Sequence, residues 1–340
     1  MKNMEPKKVT IQDIAEKANV SKSTVSRVLN NSTPVNERKR KAVLDAMKLM
    51  NFQPNVFARG LAGGHSMTIG IMTQNIGSPF FDLVTQGIIR ALVGTSYSPI
   101  FVDGQWDPEM SQKGINTLLG RQVDGLIIVG GSMPKDVLDK IKEKTPSIFV
   151  GLKLEGWDEQ CVFIDNYQAA YHATKFLIEA GHREIAHITG IRNQPDSQSR
   201  LDGYRQALLD HGLKYEEDLV YEGNFDGSSG VMGVESLLMR GRNFTAIFAS
   251  NDMTAYGARL GLHRRGIRVP EEVSIIGFDD QAESAFMTPP LTTVRQPAFE
   301  MGEAAGSALV ALLRGSKYEF PELKAELQVR ESVSQIRVRE

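Results

Sequence analysis

The sequence predicts an α/β protein: a small N-terminal helix-turn-helix domain of three helices, then a large body with two parallel β-sheets. Three observations predict it. Small apolar residues recur at helical spacing through residues 9–50. From Thr68 onward, β-branched or apolar runs alternate with amphipathic helical stretches. The charge is also split. Twelve lysines and arginines against five acidic residues give residues 1–62 a charge of +7, which leaves −9 for the rest of a chain whose net charge is −2. A basic head on an acidic body points to a polyanion-binding module joined to something else.

The head reads in order. Thr10 caps a first helix, and Asp13 at the third helical position completes a capping box. Ile11, Ile14, Ala15 and Ala18 follow at helical spacing. Asn19-Val20 breaks the pattern, because Asn tolerates the left-handed backbone of a tight turn. Ser21 caps a second helix whose apolar face is Val25, Val28 and Leu29, and the small Ala15 lets the two helices cross closely. A third helix, capped by Asn36, runs through "ERKRKAVLDAMKLM", with Val43, Leu44 and Met47 closing the core. Its Arg38-Lys39-Arg40-Lys41 run reads equally as a phosphate clamp or a solvated face.

Lys22, Ser23, Thr24, Ser26 and Arg27 lie in the first turns of the second helix, off its apolar face, with Asn30 further along. In a helix-turn-helix this is the part that enters the major groove. Arg bonds guanine bidentately, Ser and Thr meet bases or phosphates, and Lys does either. Double-stranded DNA is therefore the expected partner, with Thr10, Lys22, Ser23, Thr24, Ser26, Arg27 and Asn30 as contact residues. The segment "NVFARGLAGGHS", Asn55 to Ser66, joins head to body. Gly60, Gly63 and Gly64 each weaken a helix by ~1 kcal/mol relative to Ala. By its residues alone it reads as a flexible linker with Leu61 packed on the body.

In the body the strand runs are "TIGIMTQ", "PIFVDG", "DGLIIVGG", "SIFVGL", "VFIDN", "EIAHITG", "TAIFASN" and "VSIIGFDD". Helices such as "YQAAYHATKFLIEAGH" and "DMTAYGARLGLHRRG" lie between them, and the number of strands points to two sheets. Open α/β sheets bind ligands beyond the carboxyl ends of their strands. Ser78, Phe80 and Phe81 follow the first strand; Arg200 follows "EIAHITG"; Phe225 follows "VYEG". Asn251 and Asp252 follow "AIFAS", Asp279 and Asp280 follow "VSIIGF", and Gln296 follows "LTTVR". A carboxylate accepts sugar hydroxyls, Arg and Asn donate directionally, and aromatic faces cover the C–H side of a sugar ring. Asp252 reads as a helix cap or structural carboxylate, and either of Phe80 and Phe81 fits the core.

Other classes fit poorly. There is no G-x-G-x-x-G after the first strand, no G-x-x-x-x-G-K-[ST] loop and no G-x-S-x-G elbow. The six histidines lack metal-ligand spacing, so neither an enzyme nor a cofactor is expected. Cys161, the single cysteine, reads as a buried small hydrophobe in a reducing, cytoplasmic setting. No apolar run approaches ~18 residues and no apolar segment of a secretory leader follows the first lysines, so no membrane partner is expected.

"VTIQDIAEKANVSKSTVSRVLNN" followed by "NVFARGLAGGHSMTIGI" resembles the lactose-repressor (LacI/GalR) family of bacterial transcription regulators, and the likeness runs over nearly the whole chain. Asn19 stands where the family often has glycine. The resemblance implies a two-lobed core like that of periplasmic sugar-binding proteins, its chain crossing between lobes near Asn166, Pro297 and Leu327. The expected divisions are a head at 1–54, a hinge at 55–66 and a core at 67–340, with one lobe from 67–166 and 298–326 and the other from 167–297 and 327–340. It implies a hinge that becomes helical only on DNA, with Leu61, beside Ala62, as a minor-groove wedge and Asn55 at its start. It places an effector pocket at Phe80, Phe81, Arg200, Phe225, Asn251 and Asp279, to which the strand-end reading adds Ser78 and Gln296.

The expected function is sequence-specific transcriptional regulation, as a repressor of carbohydrate-uptake or catabolism genes. The expected partners are a pseudo-palindromic operator, a second copy of the chain and a small-molecule effector, a carbohydrate. A purine or nucleoside effector is the alternative, and a cytosolic ligand-binding protein without DNA function a more distant one. The family's tetramers use a C-terminal heptad extension; the ending "QIRVRE" has none, which favours a homodimer.

Overall fold

The computed structural model describes residues 9–30, 34–52 and 65–336. Two compact units are present, Met1–Met67 and Thr68–Glu340. Of the expected hinge, only His65 and Ser66 fall within the described residues; Asn55, Leu61 and Ala62 lie outside them.

The first unit contains α1 (Ile11–Lys17), α2 (Lys22–Asn30) and α3 (Glu37–Leu49). Each helix begins where its cap dictates. Thr10 Oγ1 accepts from the Asp13 amide at 3.3 Å, while Asp13 Oδ2 accepts from the Thr10 amide at 2.7 Å. Ser21 Oγ accepts from the Thr24 amide at 3.2 Å, and Asn36 Oδ1 accepts from the Arg38 amide at 3.0 Å. Asn19 takes φ 51°, the left-handed turn between α1 and α2.

Ile14, Ala15, Val25, Val43 and Ala46 form the buried core, with Val28, Leu29 and Met47 packed against it. Two expected core residues are not buried: Ile11 is 38% and Leu44 48% exposed. Val43, Ala46 and Met47 make one stripe at spacings of three and four, and Leu44 lies about 100° off it. Ile11 is the first residue of α1, at the exposed end of that helix.

The second unit begins with β1 (Thr68–Thr73), α4 (Pro79–Leu92), β2 (Ser98–Asp103), α5 (Pro108–Gly120), β3 (Gly125–Val129), α6 (Lys135–Lys144), β4 (Ser147–Val150) and β5 (Cys161–Val162). These strands form one parallel sheet in the order β2-β1-β3-β4-β5. Next come α7 (Asn166–Glu179), β6 (Ile185–Ile188), α8 (Pro195–Asp210), β7 (Val220–Tyr221), α9 (Gly227–Met239), β8 (Ala246–Ala249), α10 (Asp252–Arg264), β9 (Ser274–Asp279) and β10 (Thr292–Arg295). Finally α11 (Ala298–Leu313) packs on α4 and the first sheet, and β11 (Glu326–Gln328) returns to the second. The second sheet has the order β11-β10-β9-β8-β6-β7, parallel except for β11.

Strands β3, β4, β6, β8 and β9 are buried along their whole length, as apolar strands covered by helices on both faces must be. The helices sit close. A Cβ at Gly87 of α4 would collide with the Phe299 carbonyl of α11, and one at Gly302 with the Val84 carbonyl. Cys161 is buried within the apolar cluster under the first sheet, as its sequence setting predicts. Among the described residues no helix is long and apolar enough to cross a membrane.

Candidate functional site

In the head, α2 buries Val25 and shows Lys22, Ser23 and Arg27 to solvent, with Thr24 and Ser26 half-buried. Ser23 and Arg27 stand one turn apart on the same face. The hydroxyls at the helix start are already linked, since Ser21 Oγ lies 2.8 Å from Ser23 Oγ and 2.9 Å from Thr24 Oγ1. Thr10 is likewise engaged in its own cap, its hydroxyl donating to Asp13 Oδ2 at 2.7 Å. Asn30 is the last residue of α2. This leaves Lys22, Ser23 and Arg27 as the exposed row of the helix.

In the body, all ten parallel strands deliver a residue to one cleft. From the first sheet come Asn75 after β1, Trp106 after β2, Gly130 after β3, Gly151 after β4 and Ile164 after β5, joined by Ser78, Phe80 and Phe81 at the start of α4. From the second come Asp196 and Arg200 in the first turns of α8, Phe225 after β7, Asn251 after β8, Asp279 ending β9 and Gln296 after β10. The eight residues picked from the sequence therefore line a single cavity. Phe81 is also core, at 4% exposure, and meets the half-buried Phe80 edge to face at 5.4 Å.

The geometry gives several of these residues a definite task. Asn251 caps α10 by accepting from the Thr254 amide at 2.9 Å, and its Nδ2 donates to the Phe225 carbonyl at 2.9 Å. It therefore positions the Phe225 loop. Asp252 is a fully buried structural carboxylate that accepts from the Gln281 amide (2.8 Å), Ser284 Oγ (2.6 Å) and Thr293 Oγ1 (2.5 Å). Asp280 pairs with Arg330 at 2.6 Å. Phe225, Asp279 and Asp280 all take positive φ, 66°, 117° and 56°, as does Trp106 at 58°. Such backbone is costly for residues other than glycine and persists only where the surroundings enforce it, characteristically at ligand sites.

Arg200 is 3% exposed. Its Nε donates to Asn166 Oδ1 at 2.9 Å, its Nη1 donates to the Ser250 carbonyl at 2.6 Å, and its guanidinium lies 3.7 Å from the Phe278 ring centroid. Burial pulls its pKa down, opposed by the charges of Asp196, Asp279 and Asp252; the guanidinium stays protonated. Asp279 accepts from Gln296 Nε2 at 2.6 Å and from Gln281 Nε2 at 3.5 Å. Burial pushes its pKa up to about 6, with Arg200 and the two glutamines pulling it back. Asp252 is pushed to about 7 by burial and then by the charge of Asp279. The cleft thus holds a fixed, buried cation beside a carboxylate, between aromatic walls.

Comparison with known proteins follows the same division. A family described as bacterial regulatory proteins, lacI family, matches residues 10–55, and a periplasmic binding protein-like domain matches residues 174–333. The HTH-type transcriptional regulator AscG of Escherichia coli is 35% identical over 317 residues, covering 92% of this chain and 94% of its own. The chain belongs to the lacI family of bacterial regulatory proteins. The solved structures agree. The regulator CelR in complex with cellobiose matches with a TM-score of 0.71 at 32% identity, covering 95% of this chain and 99% of its own. The lac repressor dimer bound to operator and an anti-inducer matches with a TM-score of 0.85 at 26% identity, covering 96% and 100%.

As a lacI-family transcriptional regulator, the chain carries a helix-turn-helix head and a two-sheet core with a polar and aromatic cleft at its strand ends. Besides the apolar Val150 and Ile164, four polar or aromatic lining side chains escape a reading of the sequence: Asn75, Trp106, Asn166 and Asp196. Trp106 stands three residues beyond β2, so the strand-end rule applied to that strand as well would find it. Asn166 and Asp196 give no such signal, because their place depends on how α7 and α8 meet the cleft.

Proposed function

We propose that this regulator is a cytoplasmic homodimeric repressor of carbohydrate-uptake or catabolism genes, released from or held on its operator by a sugar, and that it catalyses no reaction. Buried Arg200 and Asp279, each lining the same cleft and each lying in the other's charge field, carry the sugar reading together with the aromatic walls. Asp279 accepts sugar hydroxyls, Arg200 donates to ring or hydroxyl oxygens, and Phe80 and Phe225 cover the apolar face, with Ser78, Asn251 and Gln296 completing the site. A purine could stack on the same rings, but it offers few hydroxyl donors for Asp279.

On the DNA side, one small head meets too few bases for specific binding in a genome. Two heads on a pseudo-palindrome supply the rest. Lys22, Ser23, Thr24, Ser26, Arg27 and Asn30 read the major groove, Thr10 meets the backbone, and Leu61, beside Ala62 and Asn55, wedges the minor groove. A gel shift with inverted repeats from the DNA around its own gene tests the reading; absence of affinity for every repeat there contradicts it.

Leu61→Ala is expected to weaken operator binding and to reduce DNA bending, measured together by circular permutation gel shift. Unchanged affinity and bend would remove the wedge from the account. A second expectation concerns pH. Asp279 has a pKa raised to about 6, so the folded protein holds a proton in the pH window from about 4 to about 6 that the unfolded chain has already released. Its contribution to stability therefore falls as pH rises through that window. Ligand binding runs the other way, because only the ionised carboxylate accepts two hydroxyls. Sugar affinity by calorimetry is expected to fall about tenfold per pH unit below about pH 6. Asp279→Asn is expected to flatten that profile.

A further inference from the structure

Trp106 and Phe225 enter the cleft from opposite sheets, one beyond β2 and the other beyond β7. Their rings stack at 5.5 Å between centroids and 27° between planes. Both residues hold positive φ, 58° and 66°, a conformation rarely adopted by bulky side chains. Each ring has a built seat. A Cβ at Gly190 would collide with the Phe225 ring, Asn251 holds the Phe225 carbonyl at 2.9 Å, and Phe81 meets Trp106 edge to face at 5.6 Å. A third ring between two others needs about 7–8 Å, two carbon–carbon contact distances. The observed spacing falls short of that, so a ligand ring that enters between them must part the pair.

The charges narrow the ligand. Among the described residues lining the cleft, the ionisable side chains are Asp196, Arg200 and Asp279, a net charge of −1 with all three ionised. Arg200 is the only cation, and it already faces Asp196, Asp279 and Asp252 while donating to Asn166 and Ser250. A phosphate or carboxylate on the ligand would enter a pocket of its own net sign, whose one cation already balances the surrounding carboxylates.

We propose that the effector is an uncharged glycoside whose ring parts Trp106 from Phe225 and is gripped between them. The inference rests on the sugar reading and narrows it to neutral sugars, with Trp106 and Phe225 as specificity-determining residues. Sugar phosphates and uronates are excluded by charge, and acyclic polyols lack the flat C–H face that two rings can cover.

The chain has two tryptophans, so Trp157→Phe leaves Trp106 as its sole indole reporter. The full-length Trp157→Phe protein is titrated with maltose, cellobiose, sucrose and trehalose, with the 6-phosphate of each, and with hypoxanthine and guanine. A neutral sugar is expected to bind and to shift Trp106 emission, with its 6-phosphate at least about 100-fold weaker. In the wild-type background, read by calorimetry, Trp106→Ala is expected to weaken that sugar about five- to tenfold, and Trp106→Phe to restore most of the loss. A 6-phosphate that binds as tightly as its neutral parent overturns the proposal and leaves the carbohydrate reading standing. Sugar binding with unchanged Trp106 emission and no effect of Trp106→Ala does the same. Purine binding, or no response to any neutral sugar in the panel, overturns both.

Discussion

Arg200→Ala is expected to abolish the response to effector while leaving operator binding within about twofold of wild type. The side chain does three things at once. It donates to the Ser250 carbonyl at 2.6 Å and to Asn166 at 2.9 Å, and among the described residues lining the cleft it is the only cation. Truncation leaves the buried Ser250 carbonyl without its donor, a cost of about 1–3 kcal/mol, and takes from Asp279 the positive charge that pulls its pKa back down. Ligand affinity is expected to fall at least about 100-fold, since two charge-assisted donors disappear. Calorimetry measures the ligand, a melting curve the stability, and fluorescence anisotropy the operator. Arg200→Lys separates charge from geometry: it keeps the cation but not the fork that reaches both Asn166 and Ser250, and is expected to fall between wild type and alanine. Loss of operator binding in a folded Arg200→Ala protein would contradict the division of labour between head and core.

Arg27→Ala is expected to do the reverse. Arg27 is exposed on the face of α2 opposite the buried Val25, one turn from Ser23. The head's buried core does not include it, so the melting curve should be unchanged. A bidentate bond to guanine discriminates by about 1–3 kcal/mol, and two heads in a dimer lose it twice, which predicts operator binding weaker by about 30- to 20,000-fold. Anisotropy against matched and scrambled repeats reads both affinity and specificity. Effector binding should remain at the wild-type level. A Lys22→Ala variant provides the contrast for the other cation of that row: a loss confined to matched repeats marks a base contact, whereas an equal loss on all sequences with a lower salt slope marks a phosphate contact.

Much of this architecture is legible in the sequence for a physical reason. Caps are local, so Thr10, Ser21 and Asn36 announce the three head helices, and Asn19 announces the left-handed turn between the first two. Parallel sheets place loops at one end of every strand, so reading the residue after each strand finds Arg200, Phe225, Asn251, Asp279 and Gln296 without any knowledge of tertiary neighbours. What escapes depends on packing. Leu44 has the composition of a core residue but lies off the stripe of Val43, Ala46 and Met47. Trp106 lines the cleft three residues beyond β2, within reach of the strand-end rule, but its φ of 58° is a conformation that no local pattern signals for a tryptophan. Asn251 has the chemistry of a ligand-binding side chain, yet it is engaged by the α10 cap and the Phe225 carbonyl. The resemblance to a known family supplies the hinge and the expectation of two lobes, neither of which composition or spacing could specify.

The central claim is that one chain couples ligand binding in the core to DNA binding by the head. Its most direct test is operator affinity of the full-length protein, by anisotropy at fixed salt, with and without a saturating concentration of a sugar shown by calorimetry to bind. Allosteric coupling of ~1–3 kcal/mol predicts a change in operator affinity of about 5- to 150-fold, in either direction, that vanishes in the Arg200→Ala variant. Operator affinity identical with and without bound sugar would contradict the claim.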